Sequence, residues 1–173
     1  MTFQSALVVE VPESEPIVGS LRDSFDAVSK LGMPAHITIL YPFIKPSDIH
    51  SNDLDRIGRL IYGFTEFCFS LKSVGRFPET TYLKPTPEEP FIEMTEVIYK
   101  SYPLFPPFGG IHDTVIPHLT VSNGNSSTAD IVEKELNDAL SMNGDINSCC
   151  KEIVLMSNQS GRWERMNEFM LST

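Results

Sequence analysis

The apolar residues of this chain follow two rhythms, one repeating every two positions and one every three or four. Ala6 to Val11 is a short apolar run closed by Pro12 and predicts a strand. Ile17, Val18, Leu21, Phe25 and Val28 then recur at the spacing of one helix face, with Gly32 as the stop. A second strand is predicted over His36 to Tyr41, and Leu54, Ile57, Leu60, Ile61 and Phe64 mark a second helix. Phe67, Phe69 and Leu71 alternate with Cys68, Ser70 and Lys72, the pattern of a strand with one buried side.

A short strand over Thr81 to Lys84 precedes Pro87-Glu88-Glu89-Pro90, which opens a helix running to about Tyr99, with acidic residues near its positive end. Pro103 to Asp113 is rich in Pro and Gly and reads as a loop, followed by a strand over Ile116 to Ser122. Ser127 with Asp130 gives a capping signal for a helix to about Met142, closed by Gly144. Two last strands are predicted near Ile153–Met156 and Trp163–Phe169. Strands and helices interleave unevenly, with no repeated parallel crossover. The prediction is therefore an α+β fold with mainly antiparallel sheets, built as one domain over residues 1–173.

Charge narrows the class of partner. The 173 residues carry 23 acidic and 13 basic side chains, a formal net charge of −10. A protein that grips long nucleic acid by its phosphates needs a basic face, so extended nucleic acid is excluded as a partner. A small substrate or a short nucleic-acid end fits better. No apolar stretch approaches the roughly 20 residues needed to span a bilayer, so no membrane partner is expected. The N-terminal run lacks the basic start of a secretory signal. Cys68, Cys149 and Cys150 are odd in number and lack metal-ligand spacing, so reduced thiols in a cytoplasmic protein are expected, and the chain is expected to be a monomer.

Two segments carry the candidate chemistry. Ala35-His36-Ile37-Thr38-Ile39 and Pro117-His118-Leu119-Thr120-Val121 both read His, apolar, Thr, apolar, and both fall in predicted strands. Positions i and i+2 of a strand share a face, so each histidine should project beside its threonine while the apolar residues pack the other way. Cleaving a phosphodiester needs a base for the attacking oxygen and an acid for the leaving oxygen. Histidine, titrating near ~6.5, serves as either. A hydroxyl two residues on can donate to a non-bridging phosphate oxygen. No carboxylate set with metal spacing accompanies them, and no cofactor is implied.

This pair of motifs resembles the 2H phosphoesterase superfamily, and within it the 2′-5′ RNA ligase-like proteins. The surroundings agree: Tyr41-Pro42-Phe43 after the first motif, Gly75-Arg76-Phe77-Pro78 and Thr81-Tyr82-Leu83 between the two, and Pro106-Pro107-Phe108-Gly109-Gly110 ahead of the second. The resemblance runs from Leu7 to the final strand. It implies a bilobal fold with pseudo-twofold symmetry, in which two mainly antiparallel sheets flanked by helices surround a central cleft. It implies that His36 and His118 are the acid–base pair and that Thr38 and Thr120 bind phosphate. It also implies a metal-independent phosphoesterase acting on 2′,3′-cyclic phosphate or 2′-5′ bonds of nucleotides or RNA ends.

Aromatic side chains near the motifs, Tyr41, Phe43, Phe77, Tyr82 and Phe108, are candidates to stack a nucleobase, with no more than two expected at the site. Arg76 and Lys84 are the cations considered for a phosphate contact, with solvated surface the default for both. His50 reads as an exposed or capping residue and His112 as a loop residue. The rival functions are a catalytically silent nucleotide-binding module, an esterase for cyclic oligonucleotide signals, and, on weaker grounds, a zinc protein using His36, His112 and His118.

Overall fold

The computed structural model describes residues 2–173. Eight strands lie in the order β6-β3-β4-β5-β2-β1-β7-β8, every neighbouring pair antiparallel. They are β1 (Ser5–Glu10), β2 (His36–Leu40), β3 (Phe67–Phe77), β4 (Thr80–Thr86), β5 (Leu119–Asn123), β6 (Ile146–Cys150), β7 (Glu152–Ser157) and β8 (Glu164–Met170). The helices are α1 (Glu15–Phe25), α2 (Ala27–Lys30), α3 (Ser51–Tyr62), α4 (Glu89–Ser101) and α5 (Ser126–Asn143). The α+β class and the antiparallel pairing agree with the sequence reading. The expected pair of sheets does not: β2 and β5 are hydrogen-bonded to each other and join all eight strands into one sheet.

Alternation along the strands sorts their side chains onto two faces. Leu7, Val9, Ile37, Ile39, Leu83, Leu119, Val121, Ile153 and Leu155 belong to the main core, which the helices cover. Each fully buried Leu or Ile contributes about 1.5–3 kcal/mol by leaving water. The residues between them on β1 and β7, namely Ala6, Val8, Val154 and Met156, form a second cluster with Met33 and Trp163 on the opposite face. β1 is therefore apolar on both sides, as suits a strand flanked by β2 and β7.

Side chain to backbone bonds seat two helices on the sheet. α4 carries buried Phe91, Met94 and Ile98, and its Thr95 Oγ1 donates to Ile39 O of β2 at 2.8 Å. α5 buries Ala129, Val132 and Leu136, and Thr81 Oγ1 of β4 donates to Ala129 O at 2.7 Å. β2 and β4 are thus tied to helices by buried hydrogen bonds, each contributing about 1 kcal/mol.

Several boundaries differ from the sequence reading. β3 runs on to Phe77, because Gly75, Arg76 and Phe77 keep pairing with β4. The cap of α5 is Asn125, whose Oδ1 accepts from Thr128 N at 2.8 Å, in place of the Ser127 signal. β6 is an additional strand, and its Cys149 lies opposite Cys68 of β3. Those two cysteines are joined in a disulfide while Cys150 stays free and buried, which corrects the expectation of three reduced thiols. No helix among the described residues is long and apolar enough to cross a membrane.

Candidate functional site

The two motifs meet at the middle of the sheet, with three strands on either side. Ile37 of β2 and Leu119 of β5 are Cα partners, and both are fully buried in the main core. In an antiparallel pair, one step along each chain in opposite directions gives the next facing residues. His36 therefore faces Thr120, and Thr38 faces His118. All four turn away from the core side and are half-buried. The histidines occupy one diagonal of this square and the threonines the other, with Cα diagonals of roughly 7–8 Å. The β5 strand begins at Leu119, one residue later than the histidine, so His118 sits at its mouth and not within it.

The ring orientations follow the same rule in both motifs. His36 Nδ1 lies 2.8 Å from Pro34 O, and His118 Nδ1 lies 2.6 Å from Ile116 O. A carbonyl only accepts, so each Nδ1 carries the proton and each Nε2 keeps a free lone pair. In both cases the acceptor is the carbonyl two residues upstream.

The electrostatics favour neutral rings. Burial pushes His36 down to about 4; its bond to Pro34 opposes this, and the charges of Arg22 and His118 push it further down. His118 is also lowered by burial, against the bond to Ile116, with His112 adding to the depression. The Arg22 guanidinium is buried and held by Asp26 Oδ2 at 3.2 Å and Met33 O at 3.0 Å.

Aromatic rings enclose His118. Phe77 meets it edge-on with centroids 5.3 Å apart, Tyr82 is tilted against it at 5.2 Å, and Phe108 stacks on it at 5.9 Å. Tyr82 is buried and pairs with Gly75 of β3 and Thr120 of β5. A Cβ on Gly75 would collide with the Tyr82 ring, so only glycine lets the phenol lie flat over β3. Phe108 holds the left-handed conformation at φ 51° and ψ 35°, followed by Gly109 and Gly110 at φ 66° and 77°. That conformation costs a non-glycine residue about 1–2 kcal/mol. The Phe108 N–H donates to Tyr41 O at 2.6 Å, which ties this loop to the end of β2.

Of the aromatic candidates, the structure brings Phe77, Tyr82 and Phe108 to the histidine. Tyr41 belongs to the second apolar cluster, edge-on to Trp163, with its hydroxyl on Gln4 Oε1 at 2.7 Å. Phe43 is buried in the main core against Tyr102 and Phe105, so it is not brought to the site. Phe77 joins the enclosure because β3 extends that far, so three of the five aromatic candidates surround His118, one more than expected. Arg76 alternates with Gly75 onto the helix side of the sheet, where Asp130 and Glu133 of α5 each bind it at 2.7 Å. His50 precedes α3 and donates its N–H to Asp53 Oδ2 at 3.0 Å. His112 lies next to Phe108 in the loop.

Among the described residues, no three His, Cys, Asp or Glu side chains gather in a way that could hold a metal ion. A hollow of about 870 Å³ lies at the end of β1 beside β3 and β6, and neither histidine lines it. Its lining includes Glu10, the Cα partner of His36.

Comparison with known proteins places these features in a family. The chain superposes on the crystal structure of E. coli LigT complexed with NADP+ at a TM-score of 0.61 and 13% identity, covering 99% of each chain. LigT complexed with 3′-AMP gives 0.60 and 12%, and a crystal structure of a phosphoesterase gives 0.63 and 13%, both covering 100% of each chain. No curated protein sequence matches. The family model of the 2′-5′ RNA ligase superfamily matches residues 10–162, a span holding both motifs, and the chain belongs to that superfamily.

Proposed function

We propose that the protein is a metal-independent phosphoesterase that opens 2′,3′-cyclic phosphates or 2′-5′ phosphodiesters of nucleotides or RNA ends. The observation carrying this reading is the crossed square, which puts two histidines and two threonines together on one face at the middle of the sheet. Cyclic oligonucleotides present the same diester chemistry. The crystal structures of LigT with 3′-AMP and NADP+ support a nucleotide ligand for this fold.

The reaction uses one water. A base Nε2 takes a proton from it as its oxygen forms a bond to phosphorus. The acid ring gives a proton to the departing ribose oxygen as the old P–O bond breaks. The rings have then exchanged protonation states, and solvent restores them. Thr38 and Thr120 donate to the non-bridging oxygens, where charge accumulates.

His36 suits the base, because burial and the Arg22 guanidinium keep its ring neutral. His118 is then the acid, and the anionic substrate phosphate beside it favours its imidazolium against the burial that lowers it. One sheet running through all eight strands supports a single functional domain. The Cys68–Cys149 disulfide removes the reduced-thiol argument for a cytoplasmic location. Incubating the purified protein with a 2′,3′-cyclic mononucleotide and identifying the product tests the reading. A 2′- or 3′-monophosphate product supports it, and tight binding with no turnover would favour a silent nucleotide-binding module.

A further inference from the structure

The site so far has two neutral rings and two hydroxyls, and no fixed positive charge faces the substrate. A protein of net charge −10 repels a phosphate unless some cation is reserved for it. The eight strands carry four cationic side chains: Lys72, Arg76, Lys84 and Arg165. Arg76 is on the helix side, bound to two carboxylates. Arg165 is on the site side but is claimed by Glu10 at 3.0 Å, by Glu152 at 2.7 Å and by Glu168. Lys72 falls at the register shift between Leu71 and Ser73, one strand further out than β4.

Lys84 differs from all three. In the β4–β5 ladder, Tyr82 pairs with Thr120 and Leu83 with Leu119. One further step sets Lys84 level with His118. Burial confirms the face: Leu83 and Pro85 are buried, while Lys84 between them is exposed. Its ammonium has no carboxylate within salt-bridge distance and no hydrogen-bond partner among the described residues. Two rows therefore cross the middle of the sheet, Gly75–Tyr82–Thr120–His36 and Ser73–Lys84–His118–Thr38, the outer pairings coming from the β3–β4 ladder. In the second row Lys84, between Ser73 and His118, is a strand cation on the site face with no counter-ion among the described residues.

We propose that Lys84 is the phosphate-binding cation of this site, holding an anionic oxygen of the substrate phosphate on the His118 side. This rests on the phosphoesterase reading for the identity of the substrate, but phosphate recognition by Lys84 can be tested without turnover. Lysine acts as a point charge on a flexible stem, so it attracts the phosphate in the ground state and the transition state alike. Its loss therefore falls on KM more than on kcat. Charge-assisted contacts set the expected scale, a weakening of roughly tenfold or more.

The test measures binding of 3′-AMP and of inorganic phosphate by calorimetry to the wild type, Lys84→Ala, Lys84→Glu and Lys84→Arg, at two salt concentrations. Circular dichroism checks that each variant is folded. Lys84→Ala should weaken both ligands about tenfold and flatten the salt dependence. Lys84→Glu should weaken them further, and Lys84→Arg should restore most of the affinity. Equal affinity and equal salt dependence for wild type and Lys84→Ala would overturn the proposal. If Lys84→Ala loses phosphate affinity while no phosphodiester is turned over, the Lys84 assignment stands and the esterase reading fails. If cyclic nucleotides are turned over with the same KM in Lys84→Ala, the reverse holds.

Discussion

Ile37 and Leu119 face each other across β2 and β5, and both are fully buried. This single pairing decides how the motifs combine. Because the strands run in opposite directions, each histidine lands opposite the other motif's threonine. A one-residue slip of either strand would turn its histidine into the core and bring its Ile37 or Leu119 out to water, so burial of the apolar set also locks the polar one.

The pH dependence of kcat/KM should be bell-shaped, with its maximum below pH 6.5. That parameter reports the free enzyme, in which both rings are depressed. As pH falls towards about 4, the His36 base becomes protonated and the rate drops. As pH rises through the lowered value of His118, the acid loses its proton and the rate drops again. Since the rings are coupled, the limbs belong to the pair. Initial rates across pH 3–9 check this, and a rate still rising at pH 9 would point to a different base.

Leaving-group chemistry should separate the two histidines. A p-nitrophenyl phosphodiester departs without needing a proton. On that substrate His118→Ala should recover at least tenfold relative to its loss on a cyclic nucleotide, while His36→Ala stays impaired. Equal recovery of both variants, or recovery of His36→Ala alone, would reverse or remove the assignment of roles.

Thr38→Ala and Thr120→Ala should each lower kcat by roughly 10–10³-fold, the range for one hydrogen bond to developing charge. Both losses should be smaller than those of the histidine variants. A threonine variant as inactive as His36→Ala would mean that the hydroxyl does more than bind phosphate.

Gly75→Ala should lower both stability and activity. The new methyl occupies the space of the Tyr82 ring, and forcing an extra carbon into a packed contact costs about 1–3 kcal/mol. Displacing Tyr82 removes one wall around His118. Thermal melts and turnover of Gly75→Ala measure both effects, and Gly75→Ala with Tyr82→Leu should regain stability without regaining full activity.

The motif strands were legible because His36-Ile37-Thr38-Ile39 alternates cleanly between faces, and the same holds from Leu119 to Val121. The exact start of β5 was not, since Pro117 cannot donate to a ladder and holds His118 just ahead of it. β6 escaped notice because only Ile146 and Cys150 mark its buried side, with Ser148 between them. Its partner for Cys149 lies 81 residues away, beyond any local pattern. Arg76 and Lys84 looked equivalent in the sequence. Their parity along β3 and β4 separates them, and parity requires the register. The joining of the halves into one sheet likewise depends on the contact between Ile37 and Leu119, which only folding creates.

The most direct test of the two-histidine site is turnover of a 2′,3′-cyclic mononucleotide in the presence of EDTA by wild type, His36→Ala and His118→Ala. The wild type should be as active with chelator as without it. Each variant should fold normally and lose about 10²–10⁴-fold in kcat, as expected for removing a general acid or base. Activity of either folded variant within a few-fold of wild type, or loss of wild-type activity to EDTA with rescue by a divalent ion, would contradict the account.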